Sequence, residues 1–262
     1  MTSSVSSRTD GSYWNETRRP LTCLAFVLPW LMAYEGGLWW LGGGDALRNG
    51  ADSWLRIGLA ALGGTAWWIL PAAMVVVLLV WHMAAGDSWR IHWNALGGML
   101  SESVLFAFLL ILLGQSLERG QRLVLDVGEP LLGVAVRSIG FVGAGLYEEF
   151  LFRLCLIPLA YAICRAVLLP RSWALGVTLV ATSFAFSVAH YLGPVPDGQS
   201  LSLLTDAVAR VQSHRELWFG FAFRTIAGLV FGGLFCLRGF GIAVGAHALY
   251  DIIVGVVLVA EL

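Results

Sequence analysis

"LLGVAVRSIGFVGAGLYEEFLFRLCLIPLAYAICRAVLL", Leu131 to Leu169, decides how the chain is read. It is too long for one ordinary membrane crossing, which takes about 20 mostly apolar residues. It predicts either two spans, 131–149 and 150–169, or one long tilted helix with an amphipathic extension. In its middle stand Glu148, Glu149 and Arg153. On insertion scales each ionised group in lipid costs at least about 2.5–3.5 kcal/mol. Something must offset that cost, or the groups are there for chemistry.

The rest of the chain sets the surroundings. It has 262 residues, 58% apolar and 13% charged, with a mean hydropathy of +0.77. A soluble domain averages roughly 25% charged residues. The fold class expected is all-α, a polytopic transmembrane helix bundle. Apolar runs at 21–41, 57–82, 96–115, 173–192, 217–237 and 240–260 join the Leu131–Leu169 stretch to make seven or eight spans. Trp39, Trp40, Trp54, Trp81, Trp89 and Trp93 cluster near run ends, as interfacial anchors do. A net charge of −1 gives no reason to invoke nucleic acid. Cys23, Cys155, Cys164 and Cys236 lack the close paired spacing of a zinc knuckle or disulfide framework.

Residues 1–19, rich in Ser, Thr and Arg, are expected to form a disordered polar tail ahead of a transmembrane domain over 20–262. The apolar run from Leu21 resembles a signal peptide, but it shows no small-residue cleavage site and is interrupted by Pro29 and Glu35, so a retained first span is expected. Arg8, Arg18 and Arg19 favour a cytoplasmic N-terminus. The polar segment Gly193 to Glu216 is expected to carry a short surface helix. Glu35 is expected to snorkel to the interface, Glu102 to mark the entrance of the third span, and Arg137 and Arg224 to pair with carboxylates or reach headgroups. Ala227 to Phe235, "AGLVFGGLF", offers small residues for close helix packing.

The buried polar residues form a set. Glu149 and Arg153 are four apart and face each other on a helix. Glu148 is turned about 100° away, because a helix has 3.6 residues per turn. His82, His92 and His214 fall at run ends or in loops, where interfacial or solvated side chains are the default. His190 and His247 fall within apolar runs, one turn after Phe186 and one turn before Asp251 respectively. Two intramembrane histidines with an Asp and an unpaired Glu are hard to explain as packing alone. Glu148, His190 and His247 would supply a two-His, one-carboxylate ligand set for a divalent metal such as Zn²⁺, with a position left for water. Without metal, Glu148 would deprotonate a water held by His190, with His247 and Asp251 steadying the oxyanion or the leaving group. Either way the chemistry is hydrolysis by activated water. No HExxH motif is present, nor an intramembrane serine centre of the GxSG kind, nor paired intramembrane aspartates of the GxGD kind. The competing class is a proton-coupled transporter using the same Glu, His and Asp residues as a relay. No internal repeat speaks for it.

At these residues the chain resembles a known family. "EEFLFR" (Glu148–Arg153) matches an EExxxR motif, "FSVAH" (Phe186–His190) an FxxxH motif, and "HALYD" (His247–Asp251) an HxxxN/D motif. These are the motifs, in order and each in an apolar span, of the CPBP membrane proteases, which include CAAX prenyl endopeptidases and the bacterial Abi proteins. The motif core lies at about 131–260. The resemblance implies an intramembrane endopeptidase acting on a membrane-associated peptide or protein, in a bacterial plasma membrane. It implies Glu148, His190, His247 and Asp251 as catalytic residues and Glu149, Arg153 and Phe186 as supporting ones. Asp251 stands where the CAAX-cleaving eukaryotic members carry Asn. That adds negative charge and leaves a simple oxyanion-donor role open to question.

Overall fold

"FGIAVGAHA", Phe240 to Ala248, has no polar face, and a helix that is apolar all round must be surrounded by other elements. In the computed structural model, which describes residues 13–42, 48–117, 122–125, 131–192 and 200–261, every residue of this stretch is buried. It belongs to α11 (Phe240–Ile252), the central helix. Packed on it are α2 (Pro20–Trp40), α5 (Trp93–Leu117), α6 (Leu131–Glu149) and α10 (Trp218–Arg238). Small residues make this close packing achievable. A Cβ on Gly245 would come within 2.5 Å of Ser103 Oγ on α5, and one on Gly145 of α6 within 2.7 Å of the Ala248 backbone nitrogen.

Around this centre lie a one-turn α1 (Tyr13–Glu16), α3 (Gly50–Ala61), α4 (Ile69–Ala85), α7 (Ile157–Ala166), α8 (Arg171–Ala189) and α9 (Ser200–Ser213). A short antiparallel pair joins β1 (Arg122–Leu125) to β2 (Leu258–Glu261). Five helices among the described residues are long and apolar enough to cross a membrane: α2, α5, α8, Arg215–Arg238 and Phe240–Val257. The protein is an integral membrane helical bundle. By that criterion five of the seven or eight expected spans are recovered, and the two remaining stretches take different forms.

The run at 57–82 is not one helix. It is divided between α3 and α4, because Gly63 takes φ +86° and closes α3 with the hydrogen bonds Gly63 N–H to Ala60 O and Gly64 N–H to Leu59 O. That is the left-handed glycine termination of a helix. The Leu131–Leu169 stretch, in contrast, is helical without a break from Leu131 to Ala166. A π-helical segment, Phe150–Leu156, links α6 to α7, and the residues at its two junctions stay in the right-handed helical region. A second π segment, Ile253–Val257, continues α11. The surface helix expected in the polar segment is α9.

Trp39, Trp40, Trp89 and Trp93 are exposed, as anchors should be, whereas Trp54 packs against the core. Of the tail expected over 1–19, residues 1–12 lie outside the described residues. From Tyr13 the chain is packed: Glu16 and Thr17 are buried, Arg19 and His92 hold Glu16 at 2.5 and 3.1 Å, and the Arg238 guanidinium lies 3.7 Å above the Trp14 ring. The expected small-residue packing of α10 is present, since a Cβ on Gly228 would touch Ser183 of α8 at 3.0 Å.

Candidate active site

Three stretches of chain bring the polar residues together. The buried C-terminal turn of α6 presents Glu148, the C-cap of α8 presents His190, and α11 presents His247 and Asp251. All four line one cavity of about 630 Å³. His190 Nε2 lies 3.6 Å and His247 Nε2 3.9 Å from Glu148 Oε2. Asp251 Oδ2 lies 3.4 Å from His247 Nε2.

The second nitrogen of each ring fixes its orientation. His190 Nδ1 is 2.9 Å from the Phe186 carbonyl, which can only accept, so Nδ1 carries the proton. With the ring neutral, His190 Nε2 is an acceptor facing a carboxylate, which also accepts. His247 Nδ1 donates to Glu149 Oε1 at 2.8 Å. Its ring stacks on Phe231 with centroids 4.6 Å apart, and Phe186 meets both histidine rings edge-on.

Glu149 and Arg153 form the expected pair, 3.1 Å apart and almost completely buried. The guanidinium also donates to the Gly228 carbonyl at 3.3 Å and lies 4.4 Å over the Phe186 ring. Phe186 therefore touches the supporting arginine and both histidines. Sequence reasoning assigned Glu149 to Arg153 and missed its bond to His247, because that bond crosses from α6 to α11.

A larger polar network lies behind Glu148. Asn49, at the N-cap of α3, donates Nδ2–H to Glu148 Oε1 at 3.1 Å. Asp52 is fully buried, bound by Arg48 at 2.8 Å, Arg56 at 2.6 Å and the Tyr34 hydroxyl at 2.8 Å. Glu35 does not snorkel. It accepts from the Tyr147 hydroxyl at 2.5 Å and lies 3.5 Å from Arg56 and 3.8 Å from Arg48, because α3 and the residues leading into it return two arginines to α2. None of this was expected from the sequence. The only signal was Asn49 followed by "GADSW", an N-cap pattern that marks a helix start and no partner.

Other expectations also change. Glu102 sits in the third turn of α5 rather than at its entrance, where Arg238 binds it through two contacts of 2.8 and 2.6 Å. His82 is fully buried, with Trp89 folded edge-on against it at 4.6 Å. Arg137 and Arg224 line the cavity, and Arg224 donates to the Tyr191 hydroxyl at 3.0 Å. A zinc ion needs its nitrogen and oxygen ligands about 2.0–2.2 Å away. Among the described residues no three His, Cys, Asp or Glu side chains gather round such a point. Glu149 holds His247 at Nδ1 and Asp251 lies 3.4 Å from its Nε2.

The fold and the cavity define a class: an integral membrane helical bundle with a Glu–His–His–Asp cluster lining an inner cavity, Glu148 and His247 buried, Asp251 half-buried and His190 more exposed. Residues 130–253, just under half of the chain, match the family described as type II CAAX prenyl endopeptidase, Rce1-like, in keeping with the CPBP resemblance of the three motifs. No curated protein and no solved structure matches the chain.

Proposed function

We propose that the protein is an intramembrane endopeptidase in which Glu148, aided by His190, activates water for attack on a peptide bond. One observation carries this reading. Glu148 Oε2 is buried without a hydrogen bond and faces an acceptor nitrogen, His190 Nε2, at 3.6 Å. Two acceptors cannot bond to each other. A water donating one proton to each satisfies both and turns its lone pairs outward.

In the proposed step Glu148 takes a proton from this water, and the resulting hydroxide adds to the carbonyl carbon. His247, carried as the imidazolium between Glu149 at Nδ1 and Asp251 beside Nε2, donates from Nε2 to the oxyanion and keeps its proton. When the intermediate collapses the C–N bond breaks, and the proton on Glu148 passes to the leaving amine. The aromatic lining of the cavity suits a peptide delivered from the membrane. The substrate class is a membrane-associated peptide or protein.

The test uses purified protein in detergent and a library of membrane-anchored peptides. Glu148→Gln keeps the shape and the bond to Asn49 but cannot accept the proton. It should lower cleavage on the order of 10²–10⁴-fold while the protein stays folded. Cleavage at the wild-type rate would overturn this reading and bring the proton-relay alternative forward.

A further inference from the structure

We infer that Asn49 is a positioning residue for Glu148. This inference rests on the proteolytic reading of the site and extends it to a part of the chain that the family match does not reach.

The amide of Asn49 has no choice of orientation. Its Oδ1 accepts the Ala51 backbone N–H at 2.8 Å, capping α3. A backbone N–H can only donate, so the oxygen must face it and Nδ2 must point away. Nδ2 then reaches Glu148 Oε1 at 3.1 Å. The two carboxylate oxygens are thereby divided: Oε1 is held by Asn49, and Oε2 is left toward His190 and His247.

The anchor itself is braced. The Asn49 backbone N–H donates to the Tyr34 hydroxyl at 3.3 Å, which in turn donates to Asp52. Tyr34 packs against the catalytic helix so closely that a Cβ on Gly143 would stand 2.2 Å from its ring. The start of α3 is thus fixed to α6 at Gly143, about one and a half turns before Glu148. Other groups around Glu148 act on its charge rather than its direction. They are His190 on α8, His247 and Asp251 on α11, Arg224 on α10, Arg48 next to Asn49, and Glu149 with Arg153 along its own helix.

Two substitutions separate this role from simple capping. Ser is as good an N-cap as Asn, so Asn49→Ser keeps the cap and deletes the donor. It should lower kcat about tenfold, the scale of one hydrogen bond to a charged group, with KM little changed and a smaller fall in melting temperature than Asn49→Ala, which loses the cap as well. An unchanged kcat would overturn the inference and leave the proteolytic reading standing. The second arm needs no cleavage assay. Asn49→Asp is also a good cap but sets two carboxylates against each other, so it should lower the melting temperature. Adding Glu148→Gln restores a donor–acceptor pair with reversed polarity and should recover most of that loss. Strict additivity of the two substitutions in the thermal cycle would mean that the side chains do not meet, and would overturn the inference even if the protein cleaves nothing.

Discussion

Glu149 serves two partners at once. One oxygen neutralises Arg153 and the other accepts from His247. Glu149→Ala leaves a buried guanidinium with the Gly228 carbonyl and aromatic faces only. Breaking a buried pair in this way costs roughly 3–5 kcal/mol. The expected outcome is a low yield of monodisperse protein and a lower melting temperature. Glu149→Gln returns an acceptor to His247 but no charge to Arg153. It should recover catalytic rate per folded molecule more fully than it recovers stability. Yield, melting temperature and kcat measured on both variants check this, and equal stability of wild type and Glu149→Ala would contradict it.

At the scale of elements, the site depends on how closely α6 approaches α11. Gly145 makes this approach, with the Ala248 backbone where its Cβ would be. Gly145→Ala should push the helices apart, separating Glu148 from His247. Overpacking of this kind costs typically about 1–3 kcal/mol. Gly176 on α8 meets nothing within 4 Å and is the matched control, where Ala should be harmless or slightly stabilising. Melting temperatures and cleavage rates of the two variants test the pair, and equal behaviour would contradict it. Two of the three motif-bearing helices, α6 and α11, also pass into π segments close to their candidate residues, at Phe150 after Glu149 and at Ile253 soon after Asp251. Such turns occur often at functional sites. Pro158, at the second position of α7, cannot donate to the turn before it, and the π segment stands where the helix must accommodate that loss.

For the whole molecule, the segment carrying the three motifs is not self-sufficient. The central α11 buries faces against α2 and α5, both outside residues 130–253. Expressed alone, residues 130–262 would expose those faces, along with the side of Glu148 that Asn49 covers. Such a fragment should give no cooperative thermal transition in detergent, and co-expression with residues 1–129 should restore one. A fragment that unfolds cooperatively alone would show that the N-terminal half is dispensable.

The sequence alone determined the membrane class, through composition and run length, and the candidate cluster, because an ionisable residue in an apolar run is costly enough to stand out. It determined the Glu149–Arg153 pair for the same reason that it could be read: both residues lie one turn apart on a single helix. Tertiary structure alone decided what faces Glu148 and His247 from other helices. The bonds from Asn49 to Glu148 and from Glu149 to His247 span 99 and 98 residues of chain. No local spacing encodes such contacts. They are set by the packing of α3, α6 and α11, which the small residues at the helix crossings allow.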